Sequence, residues 1–272
     1  MSRIRETFTR LRAAGRIALI PFVMAGDPDL GTTEELLPKL VEAGADLIEV
    51  GIPFSDPIAD GPVNQRAAQR ALAAGATPRE ILALCRRIRE RTDVPLILLS
   101  YYNPLLRYGV APFCRDARNA GVDGLVVPDL PPDEAGELVA AARDSGLDTV
   151  FLAAPTSTEE RIELVCRLAS GFVYCVSLTG VTGPRREINK EAITLLARLR
   201  ERTSLPLVLG FGISTPAQVR EVAKYADGVI VGSALIQAME EAGPQGIEAA
   251  MRFLSQFRQA LNLTPSTPSE VM

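Results

Sequence analysis

The chain has 272 residues, 47% of them hydrophobic, and a formal net charge of −4. A chain of this length can bury a large core, and its length alone allows one domain or two. Acidic and basic residues are mixed, without a basic stripe and interleaved aromatic residues, which argues against a nucleic-acid partner. No segment approaches the ~20 uninterrupted apolar residues of a membrane span, so we expect no membrane insertion.

The elements predicted along the chain alternate between helices and strands. About 14 N-terminal residues form a first helical pattern. Short apolar runs rich in β-branched residues then predict eight strands, over residues 17–25, 46–52, 95–101, 124–129, 149–154, 172–177, 206–211 and 228–232. Amphipathic patterns between them predict helices over 32–42, 78–91, 112–120, 133–145, 158–168, 190–202, 216–225 and 246–261. Buried strands that alternate with helices indicate a parallel sheet.

Eight such units match an α/β fold of the (β/α)8 TIM-barrel type, which typically needs about 250 residues. A doubly wound open sheet is the alternative, but it would normally have fewer strands and a Gly-rich first turn. We expect one TIM-barrel domain over residues 1–261, with the extra N-terminal helix closing the barrel floor. The polar, Pro- and Ser-rich tail over residues 262–272 is expected to be disordered.

Cysteine usage bears on the compartment. Four cysteines lie far apart without Cys-x-x-Cys spacing, at Cys85, Cys114, Cys166 and Cys175. Separate thiols are typical of a reducing environment. The N-terminal residues also lack the apolar run of a secretory signal. We therefore expect a cytoplasmic protein.

Two scarce residue types narrow the chemistry. The chain has no histidine, which removes the commonest general base and the commonest metal ligand. Its three lysines, Lys39, Lys190 and Lys224, fall in predicted helices, which argues against a Schiff-base lysine at a strand end. We therefore expect a metal-free enzyme that relies on carboxylates, tyrosines and backbone amides.

Glu49 is the lone carboxylate inside the second apolar run. Because strand side chains alternate, Leu47, Glu49 and Gly51 share one face, and the aliphatic residues 48, 50 and 52 share the other. The aliphatic face suits the helix layer, so we expect Glu49 in the barrel lumen near its top. Burial there predicts a raised pKa and a group that donates and accepts a proton near neutrality. A structural glutamate bonded to backbone or water is the alternative.

Two more carboxylates, Asp56 and Asp60, lie in the loop after this strand. Asp60 precedes a glycine, and Asp-Gly is a common turn, while aspartate often caps helices. The residues alone therefore leave a structural and a functional role for Asp60 equally open. Asp56 precedes a proline and has a similar turn interpretation.

Glycines follow the last two predicted strands, in the segments 210–214 (Gly-Phe-Gly-Ile-Ser) and 232–234 (Gly-Ser-Ala). Glycines after strands seven and eight, beside a helix N-terminus, are the usual phosphate site of a TIM barrel, and simple loop turning is the alternative. The glycines and small residues of 177–187 suit a loop that orders over a ligand, although such residues are also common in ordinary loops. Four aromatic residues lie at predicted strand ends, where they either line the pocket of a flat substrate or pack in the core: Phe22, Tyr101, Tyr174 and Phe211.

Seven motifs resemble the tryptophan synthase alpha subunit family. The most specific one runs from Glu49 to Pro62 as Glu-Val-Gly-Ile-Pro-Phe-Ser-Asp-Pro-Ile-Ala-Asp-Gly-Pro. The others follow the same order along the chain, at residues 21–28, 101–104, 127–132, 154–158, 180–183 and 210–214. The resemblance extends from about Arg5 to Leu261.

This resemblance implies retro-aldol cleavage of indole-3-glycerol phosphate to indole and D-glyceraldehyde 3-phosphate, the penultimate step of L-tryptophan biosynthesis. It implies Glu49 as general acid and base, and Asp60 as the group that stabilises an indolenine-like intermediate. The implied substrate-binding residues are Phe22, Leu99, Tyr101, Tyr174, Thr182, Gly183, Phe211, Gly212, Gly232 and Ser233.

The resemblance also implies a partner, a beta subunit that carries pyridoxal phosphate and receives the indole, in an alpha2beta2 heterotetramer. This chain itself is then expected to need no cofactor. Asp56, Pro57 and Asn103 match positions near that interface. Leu178 departs from the family pattern, because some relatives carry arginine there, and this bears on closure of the loop after strand six.

Three other functions are alternatives to this assignment. A stand-alone indole-3-glycerol phosphate lyase would use the same motifs without a partner. A regulatory subunit would only activate a beta partner, and intact Glu49 and Asp60 argue against it. Another phosphate-binding barrel, such as an isomerase or synthase, usually uses a lysine or a cysteine–aspartate pair at strand ends, and neither is found in this sequence.

Overall fold

The computed structural model describes residues 2–176, 190–210 and 212–262. Eight parallel strands close into a barrel in chain order, with β8 paired to β1. They are β1 (Ala18–Met24), β2 (Ile48–Gly51), β3 (Leu96–Leu99), β4 (Gly124–Val126), β5 (Asp148–Ala153), β6 (Val173–Val176), β7 (Leu207–Gly210) and β8 (Gly228–Val231). The predicted TIM barrel is confirmed, and the open doubly wound sheet is excluded.

Helices surround the barrel, as the alternating pattern indicates. They are α1 (Arg3–Ala13), α2 (Leu30–Glu42), α3 (Pro62–Ala73), α4 (Pro78–Arg89), α5 (Tyr102–Tyr108), α6 (Val110–Asn119), α7 (Gly136–Ser145), α8 (Glu159–Leu168), α9 (Lys190–Arg200), α10 (Pro216–Val222), α11 (Ser233–Ala242) and α12 (Gly246–Asn262), with a short 3-10 helix at Gly243–Gln245. None of the helices in the described ranges has the length and apolar character that a bilayer crossing requires.

Several predicted boundaries are wrong. The patterns missed α3 and α5, and the helix N-terminus expected beside Gly232 begins a helix of 10 residues, α11. Lys224 lies beyond the end of α10 rather than inside a helix. Asn262, expected to begin the tail, is the last residue of α12, and residues 263–272 lie outside the described residues. Tyr101 does not extend β3, because it is the extended N-cap residue of α5.

The floor of the barrel is closed by α1, as expected. Its N-cap residue Ser2 accepts a hydrogen bond from the Arg5 backbone, and its apolar face is buried. The Phe8 ring lies 5.9 Å from the ring of Phe172, which precedes β6. Because α1 fills the N-terminal end of the lumen, we expect a ligand to bind at the C-terminal ends of the strands.

Strand register determines which side chains share the lumen. Glu49 of β2 is paired with Phe22 of β1 and Ile97 of β3, and paired residues of parallel strands face the same side. The alternating residues Ile48 and Val50 face the helix layer and are fully buried. Burial of each such aliphatic side chain stabilises the fold by about 1.5–3 kcal/mol. The helix layer therefore holds β2 in the register that directs Glu49 inward.

Candidate active site

Glu49 lies in the upper lumen, two residues before the end of β2. Its side chain is 1% exposed, and neither carboxylate oxygen has a hydrogen-bond partner among the described residues. Burial raises the pKa of Glu49 to about 8, and the nearby charge of Asp60 adds to the rise. The carboxyl is thus mostly protonated at neutral pH and can exchange its proton at little cost. This agrees with the raised pKa expected from the sequence.

Tyr174 of β6 faces the same lumen. Burial raises its pKa, and the charges of Glu49 and then Asp60 raise it further, which places the phenol within electrostatic reach of both carboxyls. Its ring lies against Gly210 of β7, where an added Cβ would approach the Tyr174 Cε1 atom to 2.5 Å. Glycine at position 210 therefore leaves the room that this ring occupies.

Asp60 lies in the loop between β2 and α3 and is partly buried. The Tyr101 hydroxyl donates to its Oδ2 atom at 3.2 Å, and the Asn64 amide donates to its Oδ1 atom at 3.4 Å. Burial raises the pKa of Asp60, and these two hydrogen bonds oppose the rise. The N-cap residue of α3 is Gly61 and not Asp60, so the capping interpretation of this aspartate is wrong.

The Tyr101 hydroxyl also fixes the loop that carries Asp60. It accepts a hydrogen bond at 2.9 Å from the backbone amide of Ala59 while it donates to Asp60. The Tyr101 ring lies 5.4 Å from the ring of Phe54, an aromatic residue that the sequence reasoning missed. Its place between Glu49 and Asp60 in the most specific motif is the signal that could have found it.

Phe22 and Leu99, together with Tyr101 and Tyr174, form an apolar wall at the top of the lumen. The Phe22 ring lies over two glycines, since an added Cβ would be 2.8 Å from this ring at Gly51 and 3.1 Å from it at Gly232. Leu99 is paired with Gly51 at the end of β3, so it shares the lumen face. Flat apolar surface and two carboxyls therefore meet at the top of the barrel.

The N-terminus of α11 lies beside this wall. Gly232 is its N-cap residue and makes no side-chain cap, and its carbonyl accepts the backbone amides of Leu235 and Ile236. The amides of Ser233 and Ala234 precede these first helical hydrogen bonds. Gly212, after β7, has a left-handed φ of +75°, which favours glycine. Amides at a helix N-terminus next to glycines form a suitable site for a phosphate group.

Five residues named in the sequence analysis lie outside the described ranges. Thr182, Gly183 and Phe211, which were expected to bind substrate, lie outside the described residues, as do Ser177 and Leu178 of the loop after β6.

The expected partner-interface residues lie around the same rim. Asp56 and Asn103 are exposed, and Pro57 is partly exposed. Two large apolar side chains missed by the sequence reasoning accompany them, Ile58 at 85% exposure and Leu106 at 55%. Ile58 follows Pro57 directly, and Leu106 lies one helical turn after Asn103 on α5.

No group of three or more Asp, Glu or Cys side chains in the described ranges is arranged to hold a metal ion. The ionisable groups that converge at the top of the lumen are Glu49, Asp60, Tyr101 and Tyr174.

A closed (β/α)8 barrel with a desolvated carboxyl and a helix N-terminus at the ends of its strands defines a barrel enzyme suited to acid–base chemistry on a phosphorylated substrate. The family model "Tryptophan synthase alpha chain" matches residues 8–264. The chain belongs to the tryptophan synthase alpha chain family, whose members are lyases that cleave indole-3-glycerol phosphate.

Individual relatives support this assignment. The tryptophan synthase alpha chain of Roseiflexus castenholzii (strain DSM 13941 / HLO8) is 54% identical over 260 residues, which cover 95% of this chain and 100% of that protein. The crystal structure of tryptophan synthase subunit alpha from Legionella pneumophila str. Paris has a TM-score of 0.90 at 39% identity, covering 96% of this chain and 99% of the other. A chain from the aminoacrylate-bound form of tryptophan synthase from M. tuberculosis has a TM-score of 0.87 at 38% identity, covering 96% and 100%.

Proposed function

We propose that this chain cleaves indole-3-glycerol phosphate to indole and D-glyceraldehyde 3-phosphate, with Glu49 and Asp60 as its catalytic residues. The observation that carries the role of Glu49 is its buried carboxyl, which has a pKa of about 8 and no hydrogen-bond partner among the described residues. A carboxyl held only by structural bonds would have those bonds visible in its surroundings. This one is placed to bond to a substrate.

The proposed position of the substrate follows from the apolar wall and the helix N-terminus. The indole ring lies among Phe22, Leu99, Tyr101 and Tyr174, and its N–H group donates to Asp60. The phosphate lies at Gly212, Gly232 and the first amides of α11, where the helix dipole favours an anion. Thr182, Gly183 and Phe211 are proposed to complete the binding site.

The first proposed step is protonation of the indole ring. A neutral indole is a poor leaving group because the departing carbon would carry negative charge. Protonated Glu49 transfers its proton to C3 of the ring, and the positive charge that develops is shared with the ring nitrogen. The carboxylate of Asp60, which accepts the N–H, stabilises this charge. Glu49 is thereby left as a carboxylate.

The second proposed step breaks the carbon–carbon bond. The Glu49 carboxylate removes the proton from the glycerol hydroxyl next to the ring, and the C–O bond becomes a carbonyl. The electron pair of the C3–carbon bond returns to the ring and neutralises its nitrogen, so indole and D-glyceraldehyde 3-phosphate leave. Glu49 ends protonated, as it began, which suits a pKa close to neutrality.

Tyr101 is proposed to orient Asp60 rather than to transfer protons. Its hydroxyl links Asp60 to the backbone of Ala59, which restricts the loop. Burial and the Asp60 charge raise the pKa of the Tyr101 phenol far above neutrality, so it stays a hydrogen-bond donor.

Members of this family work with a beta subunit, and we propose that this chain does so in an alpha2beta2 heterotetramer, with pyridoxal phosphate held by the beta subunit. Exposed Asp56, Pro57 and Asn103 are proposed to lie at that contact. The exposed apolar side chains of Ile58 and Leu106 support this, because exposed large apolar side chains at one rim are typical of an interaction surface. The unpaired cysteines support the cytoplasmic location proposed with it.

Indole release from indole-3-glycerol phosphate by the purified chain, with and without a beta subunit, tests the proposal. We expect slow release by the chain alone and faster release with the partner. Equal rates would identify a stand-alone lyase. If the beta subunit alone releases indole and this chain alone does not, the chain is a regulatory subunit. Absence of indole under both conditions would refute the proposed reaction.

A further inference from the structure

The N-terminal end of the barrel, opposite the candidate active site, carries arginines around a cavity. This cavity of about 320 Å³ is lined by Arg3, Arg86, Arg89, Glu90 and Arg118, together with residues 119–121. The lining residues come from the start of α1 and from the ends of α4 and α6, where the chain enters β3 and β4. No residue of the proposed reaction lines it.

Arg89 forms the floor of this cavity and has no N–H group left for a ligand. Its Nε and Nη2 atoms donate to the Gly121 carbonyl, and its Nη1 atom donates to the carbonyls of Thr92 and Val94. The second Nη2 hydrogen bond, of 2.9 Å, goes to the buried carboxylate of Asp123. Arg89 thus satisfies the carbonyls at the ends of α4 and α6, which is a structural role.

The other three arginines, called here the arginine cluster, are not used in this way. Arg3 donates through Nη1 to Asp123 Oδ1 at 2.9 Å. The Nη1 atom of Arg118 lies 3.9 Å from Asp123 Oδ1, which is too far for a hydrogen bond. Arg86 makes no hydrogen bond or ion pair with any described residue. Most N–H groups of the cluster are therefore available at the cavity.

Charge around the cavity is not balanced. Asp123 faces three guanidinium groups, those of Arg3, Arg89 and Arg118, and each lies within 4.0 Å of one of its carboxylate oxygens. Glu90, on the rim, and Asp93, near Arg89, are the other carboxylates that face this group. Burial lowers the pKa of Arg89, Asp123 opposes this, and the Arg3 charge lowers it further, so the guanidinium groups repel one another. A bound oxyanion would relieve that repulsion.

We propose that the arginine cluster binds a small phosphorylated anion at a site separate from the active site. Guanidinium groups match phosphate oxygens in pairs, and Arg is the preferred residue for such contacts. A volume of about 320 Å³ lies at the lower end of the range of small-molecule sites, about 300–1,000 Å³, and suits a phosphate on a compact carbon skeleton. Because the three side chains are partly exposed, the affinity is expected to fall as salt concentration rises.

Site-resolved chemical protection tests the proposal on the full chain. Arginines are modified with phenylglyoxal with and without inorganic pyrophosphate, at ionic strength matched with sodium chloride, and the modified residues are identified by mass spectrometry. We expect modification of Arg86 and Arg118 to slow at least about threefold, since each bound guanidinium is shielded. Arg252, an exposed residue of α12, should react at an unchanged rate. Pyrophosphate that binds at the active site does not shield Arg86 or Arg118, because both lie at the opposite end of the barrel.

Calorimetric titration with pyrophosphate provides the second measurement. The double variant Arg86→Gln and Arg118→Gln should bind about tenfold more weakly or more at this site, while Arg252→Gln binds as the unmodified chain does. Since Arg86 makes no bond with the described residues, Arg86→Gln alone should leave the melting temperature unchanged, which separates lost binding from lost folding. Equal modification with and without pyrophosphate would overturn the proposal. So would protection that extends to Arg252, because it would indicate non-specific screening.

Discussion

Replacing Glu49 by glutamine tests the role of the buried carboxyl most directly. The substitution keeps the size and shape of the side chain but removes its titrating proton. At pH 7 a carboxyl with a pKa of about 8 is roughly nine-tenths protonated, whereas one with the ordinary value of 4.5 is protonated in well under about 1% of molecules. We expect Glu49→Gln to lower kcat by about 10²–10⁴-fold, because one general acid–base group contributes about this much. Substrate binding, measured separately, should persist.

The same substitution has a consequence for stability. The rise in the pKa of Glu49 from 4.5 to about 8 corresponds to at most about 5 kcal/mol, at 1.36 kcal/mol for each pKa unit. Since the folded-state pKa is the higher one, this contribution to the free energy of unfolding is fully present below pH 4.5. It is lost as the pH rises through about 8. The wild-type chain should therefore lose stability across this range relative to Glu49→Gln.

Urea unfolding of both proteins at pH 5, 7 and 9 measures this difference. The free energy of unfolding of Glu49→Gln, relative to wild type, should increase as the pH rises, by up to about 5 kcal/mol. Glu163→Gln, on the exposed side of α8, is the matched control and should change neither turnover nor this pH dependence. Wild-type turnover in Glu49→Gln, or a stability difference that does not vary with pH, would refute the assignment.

Three further substitutions test the surroundings of Glu49. Asp60→Asn should lower kcat by about 10²–10³-fold, as expected for loss of an electrostatic stabiliser, while the exposed Asp144→Asn should not, and steady-state indole release measures both. Tyr101→Phe removes a hydrogen bond that lowers the pKa of Asp60, so the acidic limb of the kcat/KM profile should move to higher pH, and an unchanged limb would contradict this. Gly51→Ala should destabilise the barrel by about 1–3 kcal/mol in urea unfolding, because its Cβ would lie 2.8 Å from an aromatic ring atom. Gly136→Ala, which has open space, should be neutral or stabilising, and equal effects of the two glycine substitutions would contradict the steric argument.

The fold could be predicted from the sequence because its strongest signals are local. Apolar β-branched runs separated by amphipathic patterns identified all eight strands, with ends that differ by no more than a few residues. The missed helix α3 buries only alanines, at positions 67, 68 and 71, so it lacks the stripe of large apolar residues that predicts a helix. The missed helix α5 has only 7 residues and begins directly after an extended tyrosine, which made its first turn resemble the end of a strand.

The site could be predicted only in part. The alternation of side chains was sufficient to direct Glu49 into the lumen, because the aliphatic face of β2 has one possible partner layer. The interpretation of Asp60 was open, since a turn and a catalytic loop have the same local sequence. Its hydrogen bond with Tyr101 joins residues 41 positions apart, and no pattern within a segment contains that information. Closure of the barrel, rather than any local preference, brings these residues together.

The packing of the upper lumen and the electrostatics of Glu49 depend on the same residues. The rings of Phe22 and Tyr174 occupy space left by glycines at 51, 210 and 232, and each ring would collide with a Cβ there. These rings exclude water from the lumen, and exclusion of water is the main cause of the raised pKa of Glu49. A substitution that shifts either ring should therefore lower that pKa without contact with the carboxyl, since water would reach it. The barrel tolerates a carboxyl that destabilises it at alkaline pH because the surrounding aliphatic core is large enough to offset that cost.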